Sequence, residues 1–172
     1  MERVVFKIMD LKTVLWLQNM PTRLQLKLII WLSRMHALVL ELSDGRLMGT
    51  IKGLNILLLS TKGRHKGLFH KNPLLYIHCH DEYYCSASFA GSDTNPDWYF
   101  NILADPTVEL LVKGNRFTAV AVRVVGCERD RIWGKLVDSY PAFAKYQKRT
   151  ERIIPVIRFI PLYVDDMMKK RT

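Results

Sequence analysis

The feature of the sequence that most restricts the fold is a short apolar run that ends in a basic, glycine-containing turn. Residues 56–59 are all apolar, and such a short run, bounded by turn residues, is typical of a buried strand. The segment that follows, residues 62–67, is called the basic turn here. It combines three cations with two glycines: Lys62, Gly63, Arg64, Lys66 and Gly67. Glycine lets backbone N–H groups approach a ligand closely, so the basic turn is a candidate anion site; the alternative is a solvated hairpin end.

Strand-like runs separated by tight turns dominate the rest of the chain. Besides the first strand, the predicted strands cover residues 71–79, 83–88, 107–113, 116–125 and 153–160. Gly114-Asn115 is a tight hairpin signal between two of them. Helical segments at 95–105, 128–139 and 141–149 are inserted among the strands instead of alternating with them. This order predicts an α+β, mainly β fold: a small antiparallel barrel with peripheral helices, not a doubly wound sheet.

The first 36 residues have a different pattern. Apolar residues recur there at helical spacing, with cations on another face: Leu24, Leu28, Trp31, Leu32 and Met35. We therefore expect an amphipathic helix over residues 14–35, either packed on the domain or lying on an anionic membrane surface. No uncharged run approaches the ~18 residues that a membrane span needs. The expected organisation is an N-terminal amphipathic segment (1–36), a cofactor-binding domain (37–163) and a charged tail (164–172).

Charge and cysteine content limit which classes of partner and which cell compartment we expect. The net charge is +10, but residues 71–110 contain one basic and six acidic side chains, which argues against a uniform nucleic-acid wrapper. The three cysteines lack CxxC spacing, so we expect reduced thiols and a cytoplasmic protein, with the inner face of the cell membrane as an alternative location. His78 and His80 share a strand face, but no third ligand is evident and we expect no metal site.

A small-residue loop over residues 88–94 leads into a predicted helix. Asn95 is a good N-cap, Pro96 suits the first turn, and Asp97 favours the positive end of the helix dipole. The free N–H groups at this helix start, beside Trp98, suit the polar edge of a flat ring system. The alternative is an ordinary capped helix with Trp98 buried in the core.

Several of these segments, taken in order, resemble motifs of the deazaflavin-dependent nitroreductase and quinone reductase family, within the split β-barrel flavin/deazaflavin oxidoreductase superfamily. Residues 58–67 resemble its LLTTxGRKSG motif, and 72–76 resemble the proline-leucine strand that follows. A third block resembles its SxGG…PxWyxNL pattern: Ser88, Gly91, Pro96, Trp98, Tyr99 and Asn101. Residues 128–133 and 146–156 match its C-terminal pattern, so the resemblance runs from about His36 to Pro161.

The resemblance implies a split β-barrel of the FMN-binding type that uses the deazaflavin coenzyme F-420 to reduce a quinone or nitro acceptor. The family holds the cofactor's phosphate and acidic tail with the basic turn, and the ring against the helix that starts at Pro96. Carried over residue by residue, the predicted cofactor-binding positions are Ser60, Thr61, Lys62, Gly63, Arg64, Lys66, Gly67, Pro73, Ser88, Gly91, Pro96, Asp97, Trp98 and Asn101.

The sequence also departs from the family pattern. His65-Lys66 replaces the usual lysine-serine, Phe89 stands where relatives often have a polar or basic residue, and Ala90 replaces a glycine. FMN therefore stays as the alternative cofactor. Within the implied fold, Ser88 and Tyr146 are the candidates to contact the acceptor or supply a proton, with Tyr140 as a lid residue. The alternative for both tyrosines is a half-buried ring whose hydroxyl reaches water.

Two other classes of function compete with the enzyme. One is a split barrel that carries a cofactor or a tetrapyrrole without turnover. The other is a basic RNA-binding barrel. That interpretation is weakened because the sequence lacks a strand face with interleaved basic and aromatic residues. We expect no nucleic-acid partner, and a monomer or a homodimer.

Overall fold

The computed structural model describes residues 22–162, with side chains from residue 30 onward. Two units are distinguished, Met1–Met35 and His36–Thr172. The predicted charged tail and the first part of the predicted N-terminal helix lie outside the described residues. The helices are α1 (Thr22–Leu42), α2 (Asp97–Ala104), α3 (Gly126–Ser139) and α4 (Ala142–Gln147), with a 3-10 turn at Phe89–Gly91. The strands are β1 (Thr50–Ile51), β2 (Leu54–Lys62), β3 (Phe69–Cys79), β4 (Glu82–Ser86), β5 (Thr107–Val112), β6 (Asn115–Val124) and β7 (Val156–Pro161).

Six antiparallel strands close into a barrel. Their order is β2-β3-β4-β7-β6-β5, and β5 returns to pair with β2, while β1 only forms a hairpin with β2. Leu58 marks the closure, because it pairs with Pro73 on β3 and with Leu111 on β5. The predicted antiparallel barrel with peripheral helices is confirmed.

The apolar run in β2 is continuous because both of its faces are covered. Leu57 and Leu59 are fully buried in the barrel core. Leu58 points the other way, against Leu40 of α1 and Leu111. A strand buried on both sides shows no polar alternation, and each leucine contributes about 1.5–3 kcal/mol of burial free energy. Leu40 also explains why α1 continues past His36 to Leu42: its last turns carry apolar side chains that the barrel covers.

Two helical regions complete the core. α2 contributes Trp98, Tyr99 and Ile102 to the interior of the barrel. On the outer face, α3 and α4 pack against β4, β6 and β7 through Ile132, Leu136, Phe143, Tyr84, Val124 and Val156. Within residues 22–162, no helix combines the length and apolar character that crossing a membrane requires.

Two local predictions were wrong. The hairpin turn between β5 and β6 consists of Lys113 and Gly114, with φ of 48° and 91°, not of Gly114 and Asn115. Asn115 instead pairs with Val112, because a two-residue turn of this type needs two adjacent left-handed residues before the second strand begins. The N-cap of α2 is Pro96, with no side-chain cap. Asn95 is not available, since its Oδ1 accepts a 2.6 Å hydrogen bond from Arg152 Nη1.

Candidate cofactor and acceptor site

A buried amide joins the basic turn to α2. Asn101 Nδ2 donates to Thr61 Oγ1 at 3.1 Å, and both residues are nearly inaccessible to solvent. On its other side, Asn101 Oδ1 accepts hydrogen bonds from the Arg64 backbone N–H at 3.3 Å and from Arg64 Nη1 at 3.2 Å. Because both ends of the amide are bonded, Asn101 fixes the start of the turn relative to the helix.

Arg64 lies along the first turn of α2. Its Nη2 donates to Asp97 Oδ1 at 3.1 Å, its Nη1 donates to the Asp97 carbonyl at 3.3 Å, and its guanidinium sits 5.2 Å from the Phe100 ring centre. The Asp97 side chain is 89% exposed. An exposed pair of this kind contributes only about 0–1 kcal/mol. A phosphate arriving at the turn therefore competes with Asp97 for the same N–H groups at small cost.

Glycine is needed at two positions of the basic turn, for a different reason at each. At Gly63, an added Cβ would lie 2.8 Å from His70 Nε2 and 2.9 Å from the Leu68 carbonyl oxygen, so no side chain fits. Gly67 has φ +68°, and its N–H donates to the Gly63 carbonyl at 2.9 Å. Lys62 and Lys66 are exposed at the rim of this closed turn. Exposed ammonium groups beside a guanidinium fit the phosphate and acidic tail of a deazaflavin cofactor.

Three of the predicted cofactor residues lie apart from the turn's exposed rim. Ser60 is buried in β2, and Pro73 lies on β3 opposite Leu58. Trp98 is only 4% exposed and packs in the barrel core. This agrees with the alternative given above, an ordinary capped helix with Trp98 buried. What the start of α2 offers to a ligand is therefore its backbone.

Arg152 organises the loop that precedes α2. Its Nε donates to the Ser92 carbonyl at 2.8 Å, and its Nη2 donates to the carbonyls of Ala87 and Ser88 at 3.2 and 3.0 Å. Together with the Asn95 contact, the guanidinium binds the loop at four points from residue 87 to 95. Burial lowers the pKa of Arg152. The sequence placed this residue in a C-terminal pattern without indicating its role, since all the partners of its guanidinium are distant in the chain.

The same loop lies against α4. Gly91 has φ +82°, and a Cβ there would be 2.7 Å from the Tyr146 carbonyl oxygen, so only glycine fits. Tyr146 is half-buried, and its ring centre is 6.4 Å from that of Tyr140. Burial, followed by a hydrogen bond with Tyr140, raises the pKa of Tyr146 well above its usual value.

The structure thus brings the predicted residues together in two groups. The first is Thr61, Arg64, Asp97 and Asn101, with the rest of the basic turn around them. The second is Ser88, Gly91, Tyr140 and Tyr146, held by Arg152 and α4. Residues 92–96 join the two groups in sequence. An open cavity of about 560 Å³ contains none of the predicted site residues and is lined by Asp93, Lys148, Arg149, Thr150, Glu151 and Arg152.

Comparisons with known proteins agree on one family. The profile of the F420H(2)-dependent quinone reductase family matches residues 31–161. An F420H(2)-dependent quinone reductase from Mycobacterium tuberculosis is 34% identical over 133 residues, which cover 74% of this chain and 89% of that protein. A solved F420-H2 dependent reductase superposes with a TM-score of 0.57 at 34% identity, covering 60% of this chain and 92% of that one. A structure described as a domain-swapped dimer gives a TM-score of 0.58 at 33% identity, covering 70% and 96%.

The profile match spans both groups of predicted site residues, because it begins before β2 and ends in β7. They confirm the family and the fold class predicted from the motifs. The chain belongs to the F420H(2)-dependent quinone reductase family.

Proposed function

We propose that this chain is an oxidoreductase that transfers a hydride from reduced coenzyme F-420 to a quinone. The observation that carries the proposal is the family match over residues 31–161. Within that range the basic turn contacts α2, and the loop at Gly91 contacts α4. Nitro compounds are the second class of acceptor, since the same hydride chemistry reduces them.

The basic turn holds the anionic part of the cofactor in this proposal. Lys62, Arg64 and Lys66 supply charge, and Asn101 keeps the turn in place against α2. When bound, a reduced deazaflavin supplies the hydride, so the protein has only to position the ring, exclude water and shape the acceptor pocket. The closed turn and the loop fastened by Arg152 are suited to that task, because each is fixed by several hydrogen bonds.

The acceptor side is assigned to Ser88, Tyr146 and Tyr140. Tyr146 is half-buried beside Tyr140, and its phenol can donate a hydrogen bond to a quinone oxygen as negative charge develops there. The Tyr140 ring packs edge-on against the Phe143 ring. Tyr140 is the lid residue of the acceptor side in this proposal. Ser88 offers a second hydroxyl on the loop that faces α4.

The direct test of this function combines binding and turnover. We expect purified protein to saturate with the deazaflavin cofactor when cofactor fluorescence is followed, and to oxidise the reduced form when a quinone is added. A parallel titration with FMN distinguishes the alternative cofactor, because saturation by FMN alone would overturn the assignment. Binding without any oxidation by quinone or nitro acceptors would favour a cofactor carrier.

We expect Tyr146→Phe to lower the rate of quinone reduction on the order of tenfold or more, because the lost hydroxyl acts in the transition state. Cofactor Kd should stay within a factor of about two, since the phosphate and ring are held elsewhere. Steady-state kinetics and fluorescence titration measure the two quantities. Tyr84→Phe is the matched control: Tyr84 lies in the same apolar cluster, but its hydroxyl donates to Glu82. An unchanged rate in Tyr146→Phe with every acceptor would remove Tyr146 from the site.

We also propose that the protein is cytoplasmic and contacts the anionic inner face of the cell membrane through the predicted N-terminal segment, residues 14–35. Its apolar stripe and flanking cations support this, as does the membrane location of long-tailed quinones. A chain beginning at His36 should stay folded but lose sedimentation with anionic liposomes. Its activity should fall more with long-tailed quinones than with water-soluble ones. Unfolding of the shortened chain would instead show that the helix is part of the core.

A further inference from the structure

The three cysteines of the chain are free thiols in different surroundings. Cys85 is fully buried in the barrel core, and burial raises the pKa of its thiol. Cys127 is exposed near the start of α3. Cys79 is half-buried at the end of β3, and its sulfur has a lysine and a histidine close to it. Cys79 therefore combines access to solvent with neighbours that can act on a thiol.

Two basic side chains from different elements approach the sulfur of Cys79. Lys135 of α3 donates from Nζ to Sγ at 3.6 Å, and His80 Nδ1 lies 3.2 Å from Sγ. The backbone fixes His80 beside the thiol, because His80 and Asp81 form a left-handed hairpin turn with φ of 50° and 62°. An imidazole in this position can accept the thiol proton, and an ammonium group stabilises the thiolate, which is the nucleophilic form. Cys79, His80 and Lys135 are called the thiol cluster here.

The thiol cluster borders an apolar surface. Cys79 packs against the apolar cluster that contains Ile132 and Leu136 of α3. A flat apolar electrophile can therefore contact apolar side chains and the nucleophilic sulfur at the same place. Quinones have this chemistry, because a ring carbon next to a carbonyl accepts a thiolate when that carbon carries a hydrogen.

We propose that Cys79 is a modification site at which a quinone is bound covalently. His80 takes the thiol proton, and Sγ forms a bond to the ring carbon while the electron pair of the ring C=C bond moves to the carbonyl oxygen, which is protonated. The hydrogen of the substituted carbon then leaves as a proton for the second oxygen, and its electron pair returns to the ring. The product, a hydroquinone thioether, is the sum of thiol and quinone, so no oxidant or reductant is consumed.

The test uses the full chain under nitrogen, without deazaflavin, and two naphthoquinones. One has an unsubstituted ring carbon beside a carbonyl, and its dimethyl analogue has none. Intact mass and peptide mapping should show an adduct at Cys79 with the first quinone and no adduct with the second. The adduct should form on the order of tenfold faster at Cys79 than at the more exposed Cys127. Cys85 reports on folding, since a fully buried thiol reacts only when the barrel opens.

Variants of the two basic residues test the cluster itself. Lys135→Gln and His80→Asn should each lower the rate at Cys79 about threefold or more, because the thiolate loses its cation or the thiol loses its base. Lys145→Gln is the matched control: it removes the same charge from an exposed position on α4 and should leave the rate unchanged. Equal rates at Cys79 and Cys127, or a Cys79 rate that both Lys135→Gln and His80→Asn leave unchanged, would overturn the proposal.

The dimethyl analogue also separates this proposal from the proposed function. That quinone can accept a hydride but cannot form the thioether. Oxidation of the reduced deazaflavin by the dimethyl analogue therefore tests the proposed function alone, and adduct formation without deazaflavin tests the modification site alone.

Discussion

Replacing Arg152 with alanine is expected to lower quinone turnover on the order of 100-fold and to lower the free energy of unfolding by about 2–4 kcal/mol. The guanidinium donates to three backbone carbonyls and to Asn95, at 2.6–3.2 Å. Hydrogen bonds from a charged donor each contribute about 1.5–3 kcal/mol, and their effects are not additive. A displacement of about 1 Å in a positioning loop is enough to reduce a rate about 100-fold. Denaturant unfolding and single-turnover kinetics measure the two effects.

Two further variants test whether Arg152 acts through the hydrogen bonds that position the loop or through its charge alone. Arg152→Lys keeps the charge but loses the planar fork, so it should recover only part of the stability and rate. Arg149→Ala is the control for stability, because Arg149 is exposed and makes one 3.4 Å hydrogen bond with the loop, besides lying 5.7 Å from the Tyr146 ring centre. It should change the free energy of unfolding by less than about 0.5 kcal/mol. Equal losses of unfolding free energy in Arg149→Ala and Arg152→Ala would contradict the positioning role of Arg152.

Arg64→Ala is expected to weaken cofactor binding by roughly 1.5–3 kcal/mol, because a charge-assisted contact to phosphate is lost. Arg64→Lys should recover part of the loss, since a lysine cannot make the paired contact. Fluorescence titration with the intact cofactor and with a fragment that lacks the phosphate gives the measurement. The loss should be smaller for the fragment.

The contacts of Arg64 with α2 supply a control for this experiment. Arg64 bonds to Asp97 and Asn101 as well as facing the predicted phosphate position, so its removal also frees the turn. Asp97→Asn removes the charged partner and leaves the guanidinium in place, so cofactor affinity should stay the same or increase. If Arg64→Ala weakens both forms of the cofactor equally, Arg64 holds the turn on α2 and does not bind phosphate.

The sequence by itself determined the barrel, because its strands depend on local patterns. A leucine run bounded by a glycine-containing turn, alternating apolar residues in β5 and β6, and tight hairpin turns are all signals within about ten residues. The basic turn was also visible, since its cations and glycines are adjacent in the chain. The family motifs then ordered these pieces along residues 36–161 and indicated which of them belong to the site.

The tertiary structure decided how the site is assembled, because its contacts join residues that are far apart in the chain. Arg64 and Asn101 are 37 positions apart, and Arg152 and Ala87 are 65 apart, so no local pattern indicates either pair. The burial of Trp98 in the core was likewise undecided, since the start of α2 alone suits a ligand and a core helix equally well. Asn95 shows the reason most directly: its local preference is to cap α2, but a charged donor from the distant Arg152 forms the stronger hydrogen bond.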